Sequence, residues 1–406
     1  MLSLLLIFSL FQYSQAFPRH YLERGFNSVA SNISAASLEN LKARGLLDLG
    51  DVIGLLPTSL DLGPVVSIGR KRIPDDDHPF KAPGPNDIRG GCPGLNIMAN
   101  YGYISRDGIT NVVELIYAQQ EMLGLAPDLA IGITMLGVRA AVDITTLKMS
   151  IGKTDSRTDG PLSGLFGTAP GLFSSLAHNK FEIDGSLSRP DRYFEHGDSD
   201  HFDSNYWKKF RNLAFKRYNG LMTREFVGEA RYMQYTTCRD TNPECEWALG
   251  EQLVHTSESF LAYALASADV HGNPSPPHVK DIEIFFGIIE NPDGSFSRGN
   301  GKLPPSPDGH WYRRATPLTL AEQFLSLKDT FLAYPMPFGR NNGSLGHWSE
   351  SLTDLRNVEE NNMLCYLLQQ TRDPKHSRYS KFPLVNDAFG KLLKNTLAPL
   401  FEQLSC

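Results

Sequence analysis

The sequence has no excess of positive charge and, after its first residues, no long hydrophobic run. Its 39 Lys and Arg against 45 Asp and Glu give a net charge of −6 at pH 7, which argues against a nucleic-acid-binding protein. No later run approaches the roughly 18 apolar residues that a membrane-spanning helix needs. Internal repeats and linker-like segments are also lacking. With 41% hydrophobic and 21% charged residues, the composition predicts a soluble globular chain whose partner is neither a nucleic acid nor a membrane.

The first sixteen residues carry no charged side chain and have the pattern of a signal peptide. Leu2–Phe11 form an apolar run of ten, and Ser14-Gln15-Ala16 supplies the small residues that signal peptidase prefers before its cleavage site. We therefore expect residues 1–16 to be removed and the remaining chain to be secreted. Two sequons, Asn32-Ile33-Ser34 and Asn342-Gly343-Ser344, fit glycosylation of a secreted protein.

Five cysteines in a secreted chain leave at least one outside any intramolecular pair. Cys238 and Cys245 flank a Thr-Asn-Pro turn, which favours a local disulfide between them. Cys406 is the last residue, and a bond to Cys365 would hold a terminus that otherwise frays. Cys92 then remains, either as an intermolecular link, as an inert buried thiol, or as a metal ligand or nucleophile.

Helical periodicity is frequent in the sequence and strand-like alternation is rare, so we expect an all-α fold. Ile109–Ile116 place apolar residues on one face of a helix that Gly124 ends, and Pro127 begins a second helix that reaches about Val142. Further helices are predicted at about 206–218, 248–266, 317–333, 350–371 and 386–402, with long loops at 268–280 and 291–315. We expect a single compact multi-helix domain over residues 74–406, preceded by an N-terminal extension over residues 17–73.

Cys92 lies in a segment whose backbone is shaped by neighbouring glycines and a proline. Gly90 and Gly91 precede it and Pro93 follows it. If a helix begins near Leu95, the sulfur lies at the helix N-terminus, where the dipole and the N–H groups favour a thiolate. A rigidly held thiolate is what an axial ligand of haem iron requires, although the segment taken alone is explained as well by a structural thiol.

The residues around Cys92 carry a longer pattern. Cys92-Pro93-Gly94-Leu95-Asn96 is followed by the run from Ala99 to Gly108, Ala-Asn-Tyr-Gly-Tyr-Ile-Ser-Arg-Asp-Gly. Together with the segment from His78, this pattern resembles the haem-thiolate peroxidases, the group of chloroperoxidase and the unspecific peroxygenases. Gly91 replaces the first proline of that family's Pro-Cys-Pro loop, and Tyr101 replaces a histidine. The resemblance implies that Cys92 binds the iron of haem b, in a mostly helical fold.

A second segment is similar to the Glu-x-Asp motif of the same family, and it runs Phe181-Glu182-Ile183-Asp184-Gly185-Ser186-Leu187-Ser188-Arg189-Pro190-Asp191. The resemblance implies that Glu182, the Ile183 carbonyl and Ser186 hold a Mg²⁺ or Mn²⁺ ion that also contacts a haem propionate. Hard oxygen ligands suit such an ion, whereas the segment taken alone is typical of a solvated turn. Ile183 stands where the family has histidine or glycine, so the usual histidine partner of the catalytic glutamate is missing.

The third match lies before the predicted distal helix. Gly228–Tyr232 and Thr241-Asn242-Pro243 resemble landmarks of the family, and counting from Asn242 assigns the acid–base glutamate to Glu258. Glu251 stands where long peroxygenases have an arginine. Glu251, His255 and Glu258 share one face of a helix, a pattern that is more often solvated surface than site. We hypothesise that His255 orients Glu258.

The resemblance implies a secreted enzyme that uses H₂O₂ to oxygenate or oxidise small apolar or aromatic substrates. Cys92 would donate electron density to the iron, and Glu258 would move the peroxide proton. A haloperoxidase is the alternative within the same class. A haem-binding protein with impaired peroxide activation is a further alternative, suggested by Ile183 and Glu251. We expect a monomer or a weak dimer. The resemblance is clear over residues 74–268, and the C-terminal third shares its helical character and its terminal cysteine pair.

Overall fold

The computed structural model describes residues 59–60, 62–63, 66, 69–181, 183–247, 271–352, 365, 369 and 377–403. Helices dominate this part of the chain. They are α1 (Pro93–Tyr101), α2 (Val112–Leu123), α3 (Pro127–Ala141), α4 (Ser163–Phe166), α5 (Ser204–Tyr218), α6 (Arg224–Thr241), α7 (Val279–Phe286), α8 (Leu320–Ala333) and α9 (Pro383–Gln403).

The described strands are short and antiparallel, and they join segments that are distant in the sequence. They are β1 (Lys71–Ile73), β2 (Ile109–Asn111), β3 (Lys148–Ser150), β4 (Glu246–Trp247), β5 (Ile288–Glu290), β6 (Phe296–Arg298), β7 (Trp311–Arg313), β8 (Phe338–Arg340) and β9 (Ser349–Leu352). β1 pairs with β7, β2 with β3 and β5 with β6, while β4, β8 and β9 form a three-stranded sheet in the order β4-β8-β9.

Helices α2 and α3 have the boundaries that their end residues dictate. Asn111 caps α2 by accepting a hydrogen bond from the Glu114 N–H (2.9 Å), which satisfies one of the N–H groups that a helix start leaves over. Gly124 ends α2 in the left-handed region at φ 70°, a conformation that costs glycine little. Pro127 occupies the first turn of α3. The two predicted helices are confirmed, except that Ile109 lies in β2 and the first helix begins only at Val112.

The core consists of two groups of buried side chains. The larger group includes Ile97 and Met98 of α1 together with residues of α2, α3, α8 and α9, and Cys92 packs against it. The smaller group joins α5, α6 and α7 through side chains such as Trp207, Phe226 and Ile282. Each Å² of apolar surface that these groups remove from water stabilises the fold by about 25 cal/mol. Helix α1, which follows Cys92, therefore rests on the main core.

The structure corrects several expectations from the sequence. The fold is mostly helical rather than all-α, because the nine short strands above pair within it. The helix predicted over 350–371 is wrong at its start, where β9 pairs with β8. Helices α6 and α7 were not predicted. The predicted helix over 248–266 lies outside the described residues, as do residues 1–58 of the predicted signal peptide and extension.

Helices α5, α8 and α9 agree with the predictions at 206–218, 317–333 and 386–402. The local disulfide is confirmed between Cys238 and Cys245, with Cα atoms 5.5 Å apart. Cys365 is disulfide-bonded, and its predicted partner Cys406 lies outside the described residues. No helix in the described part of the chain is long and apolar enough to cross a membrane.

Candidate active site

Cys92 is the N-cap residue of α1. Its backbone is extended (φ −80°, ψ 111°), Pro93 fills the first helical turn, and the side chain of Cys92 is a thiol rather than half of a disulfide. A Cβ added to Gly94 would lie 3.8 Å from Sγ, so the sulfur lies beside the first turn of α1. The positive end of the helix dipole stabilises negative charge at this half-buried sulfur.

The two glycines before Cys92 allow the backbone to approach its neighbours closely. A Cβ on Gly90 would lie 2.4 Å from the Ile151 carbonyl oxygen, and a Cβ on Gly91 would lie 2.6 Å from the ring of Phe173. Any other residue at either position would force a shift of the backbone or the ring. We call residues Gly90–Cys92 the ligand loop.

Asn96 and Arg298 hold the ligand loop by hydrogen bonds to Gly90. The Gly90 N–H donates to Asn96 Oδ1 (2.9 Å), and Asn96 Nδ2 donates to the Gly90 carbonyl (2.7 Å). The same carbonyl accepts a charge-assisted hydrogen bond from Arg298 Nη2 (2.7 Å), which comes from β6. Since glycines by themselves leave the chain flexible, these bonds give the loop its fixed position.

Asp200 completes this network. Its Oδ1 lies 3.5 Å from Arg298 Nη1, and a Cβ on Gly91 would come within 3.2 Å of the same oxygen. Burial raises the pKa of Asp200 to about 6, while Arg298 and Arg189 act in the opposite direction. A polar cavity of about 560 Å³ lies between Arg298, Asp200 and the loop. Cys92 is not among the residues that line it.

A second network ties α1 to the chain on either side of it. Arg89 donates from Nε to Asn100 Oδ1 (2.9 Å) and from Nη1 to the Arg106 carbonyl (2.9 Å). Asn100 donates in turn to the Gly301 carbonyl (3.0 Å). Burial lowers the pKa of Arg89. Tyr101, which replaces the family's histidine, is buried, and its hydroxyl accepts a hydrogen bond from the Leu303 N–H (3.3 Å).

The second motif forms a loop that α6 anchors. Arg231 donates to the Gly185 carbonyl (2.7 Å), and Gln234 donates to the Ser186 carbonyl (2.6 Å). The Ile183 carbonyl accepts a hydrogen bond from Arg189 Nη2 (3.1 Å). The Ser186 hydroxyl oxygen accepts from the Ser188 N–H (3.2 Å). Ile183 and Ser186 are thus in one loop, and Glu182 lies outside the described residues.

Asn242 joins two buried carboxylates of this motif. Its Nδ2 donates to Asp184 Oδ2 (3.2 Å) and to Asp191 Oδ2 (3.1 Å). Asp184, Asp191 and Cys238 lie close enough to suggest a metal site, but Cys238 is bonded to Cys245 and the two carboxylates bind the Asn242 amide. The Thr-Asn-Pro segment therefore serves as a structural junction between the second motif and α6.

Sequence reasoning missed Arg298, Asp200 and the role of Asn96. Asn96 could have been found, because it follows Cys92 by four residues and so returns to the same side of α1. Arg298 and Asp200 lie 206 and 108 positions after Cys92 and carried no local signal. The predicted Glu258 and His255, and also Glu251, lie outside the described residues.

The chain matches the family model described as "Peroxidase, family 2" over residues 78–316. Aromatic peroxidase fscJ from Fusarium equiseti is 28% identical over 360 residues, which cover 80% of this chain and 79% of that protein. Dothistromin biosynthesis peroxidase dotB from Dothistroma septosporum is 27% identical over 352 residues, or 81% of each chain. An aromatic peroxygenase from Coprinellus radians is 28% identical over 239 residues, 58% of this chain and 88% of that protein.

The matched residues include the ligand loop, α1 and the loop of the second motif, which are the segments that carry the resemblance in the sequence. The family match spans more than half of the chain. The protein therefore belongs to family 2 of the peroxidases, the haem-thiolate peroxidases, and is an enzyme of that family.

Proposed function

We propose that this enzyme is a secreted peroxygenase or peroxidase that uses H₂O₂ to oxygenate or oxidise aromatic and other apolar compounds, with Cys92 as the iron ligand. The observation that carries the proposal is the thiol of Cys92 at the N-terminus of α1. The names of the relatives, aromatic peroxidase and aromatic peroxygenase, support the substrate class.

The residues around Cys92 fit a haem iron. A cysteine that binds haem iron does so as a thiolate, and it must be held in a fixed position. The dipole of α1 meets the first requirement, and the bonds from Asn96 and Arg298 to Gly90 meet the second. Bound haem would supply cleavage of the peroxide O–O bond and delivery of oxygen or of oxidising equivalents to the substrate.

The protein's own residues have to move protons and position groups. We assign Glu258 to take the proton from the inner oxygen of peroxide and to deliver it to the outer oxygen, which lets water leave. A carboxyl group in an apolar pocket has a raised pKa and can do both at mildly acidic pH. His255 is assigned to orient Glu258. Both assignments rest on the family resemblance, and replacing Glu258 by Gln should greatly slow the reaction with peroxide without loss of haem.

We further propose that Glu182, the Ile183 carbonyl and Ser186 hold a Mg²⁺ or Mn²⁺ ion. The oxygen chemistry of these donors supports an ion of this type. The positive charge of Arg189, which already donates to the Ile183 carbonyl, would repel a cation bound to the same oxygen. Metal analysis of the purified enzyme and of a Ser186→Ala variant tests the site, and a metal content that is the same in both contradicts it.

A haloperoxidase is the second candidate, because a chloroperoxidase from Leptoxyphium fumago is 45% identical over 58 residues. That match covers 14% of this chain, so it says little about the substrate pocket. Parallel assays of chloride or bromide oxidation and of an aromatic donor, each driven by H₂O₂, decide between the two activities.

The deciding experiment for Cys92 is an absorption spectrum of the purified protein, reduced and treated with carbon monoxide. We expect a thiolate-type Soret band in the wild type and its loss in Cys92→Ala. Gly94→Ala, which adds a methyl group beside the sulfur without a close clash, is the matched control and should keep the band. A histidine-type spectrum in the wild type would overturn the assignment. Signal-peptide cleavage is tested by the N-terminal sequence of protein from the culture medium.

A further inference from the structure

Aromatic side chains form a continuous row from the core to the surface along α6. The ring centroid of Tyr235 lies 5.3 Å from that of Trp247 and 5.8 Å from that of Trp348. Tyr232 lies 6.3 Å from Tyr235 and 6.2 Å from Tyr334. These are distances at which neighbouring rings touch. We call Trp247, Tyr235, Trp348, Tyr232 and Tyr334 the aromatic tract.

Exposure increases along the aromatic tract from Trp247 to Tyr232. Trp247 is fully buried and Tyr235 is 1% exposed, whereas Tyr232 is 39% exposed. Trp247 and Tyr235 belong to the main core group against which Cys92 also packs. Trp247 also directly precedes residues 248–270, the segment to which we assign the acid–base residue Glu258. The buried end of the tract is therefore in the same core as the ligand loop, and its other end reaches solvent.

Gly228 and a hydrogen-bonded pair, the Tyr218 hydroxyl and the Glu229 carboxylate, lie beside Tyr334 at the exposed end of the tract. The ring of Tyr334 lies where a side chain at position 228 would be, since a Cβ on Gly228 would come within 2.4 Å of it. Tyr334 interacts with the hydroxyl of Tyr218, and that hydroxyl donates a hydrogen bond to the Glu229 carboxylate. A carboxylate bonded to a phenol can accept its proton when the phenol loses an electron.

Tyr and Trp are the side chains that lose a single electron most readily, and the electron passes easily between aromatic rings in contact. An enzyme that reduces peroxide generates a strong oxidant in its interior. We propose that the aromatic tract conducts single electrons inward from phenolic donors that meet the surface at Tyr232. Such donors would be phenols attached to polymers or other bodies too large to enter a substrate pocket. This inference rests on the proposed function.

The electrons and protons balance over two donors. Each oxidising equivalent takes one electron from Tyr232 through Tyr235, and the Tyr232 hydroxyl releases its proton to solvent, which leaves a phenoxyl radical. A donor phenol then transfers one hydrogen atom, restoring the Tyr232 O–H and becoming a radical itself. The sum is H₂O₂ and two phenols giving two waters and two phenoxyl radicals, with peroxide as the oxidant.

The test is radical trapping in the holoenzyme. A nitroso spin trap and H₂O₂ are added without any donor, and labelled residues are located by peptide mass spectrometry. We expect the label on Tyr232 or Tyr334, and its loss from Tyr232 in Tyr235→Phe. Tyr193→Phe is the matched control, because Tyr193 is similarly exposed (43%, against 39% for Tyr232) and its ring contacts Phe194, which is not part of the aromatic tract. Tyr193 should take up little label, and its replacement should change nothing.

Activity is then compared on a small aromatic donor and on a phenol coupled to a large soluble polymer. Tyr232→Phe should lose most of the oxidation of the polymer-bound phenol and keep that of the small donor. Unchanged labelling of Tyr232 in Tyr235→Phe, or equal labelling of Tyr193, would overturn the role of the tract while the small donor is still oxidised. Failure of the wild type to oxidise the small donor would instead refute the proposed function on which the inference rests.

Discussion

Asn96 offers a direct way to loosen the ligand loop without changing the ligand. Its amide makes two hydrogen bonds to Gly90, at 2.9 and 2.7 Å, and the residue is 8% exposed. In Asn96→Ala the Gly90 carbonyl keeps its bond from Arg298, but the Gly90 N–H loses its acceptor. The polar cavity lined by Gly90 and Asn96 gives water a route to that N–H, and a water bound there would recover part of the loss.

The cost follows from these two changes. A buried N–H without a partner costs about 1–3 kcal/mol, and the lost bond at the carbonyl adds about 1 kcal/mol. We expect Asn96→Ala to lower the free energy of unfolding by about 1–3 kcal/mol, less than the full sum because water can reach the N–H. The loop also becomes free to move, so Cys92 should be displaced from the iron in part of the molecules. Urea unfolding and the spectrum of the reduced carbon monoxide complex measure the two effects.

Asn341→Ala is the control that separates stability from ligand position. Asn341 is fully buried and also makes two side-chain hydrogen bonds to backbone carbonyls, those of Arg239 (2.7 Å) and Asn242 (2.8 Å). Its loss should cost a similar free energy and leave the thiolate-type spectrum unchanged. If both variants keep that spectrum, or both lose it equally, Asn96 does not position Cys92 and the reasoning is wrong.

Three further outcomes are expected. Gly91→Ala should be strongly destabilised in thermal unfolding because its methyl group would overlap Phe173, whereas Gly94→Ala, whose methyl group meets no close neighbour, should unfold near the wild-type temperature. Asn242→Asp places a third carboxylate against two buried ones, so it should lower the unfolding temperature more at pH 7 than at acidic pH, and an equal loss at both would contradict this. Burial raises the pKa of Asp200 to about 6, so the stability that the neutral form contributes is present near pH 4 and is lost as pH rises through about 6. Asp200→Asn should flatten the dependence of the unfolding temperature on pH over that range, and an unchanged dependence would exclude Asp200 as its cause.

The sequence predicts those helices whose end residues and apolar buried face can both be recognised within the helical segment itself. For α2 and α3 the cap at Asn111, the left-handed Gly124 and the helix-starting Pro127 mark the boundaries. Helix α6 was missed because its buried face includes Arg231 and Gln234. These polar side chains are buried because they bind the Gly185 and Ser186 carbonyls, and their presence hides the apolar periodicity on which prediction depends.

The same distinction applies to the site. Cys92 and its neighbours could be singled out, because ligand, proline and the residues that follow lie within one short segment. Arg298, which also fixes the loop, could not, because its hydrogen bond to Gly90 leaves no trace in either local sequence. Tyr101 shows a related effect, since a substitution that departs from the family pattern is accommodated by the distant Leu303 N–H.

The position of Cys92 depends on the C-terminal half of the chain, because Arg298 binds the Gly90 carbonyl. Gly90 and Gly91 have no side chains with which to hold themselves, so the bonds they receive determine where the sulfur lies. Asn96 comes from the helix that follows Cys92, and its bonds can form wherever that helix forms. Arg298 comes from the β5–β6 hairpin, and its bond forms only when the hairpin packs against the loop. The motif around Cys92 therefore identifies the ligand, whereas the rigidity of the ligand is a property of the assembled fold.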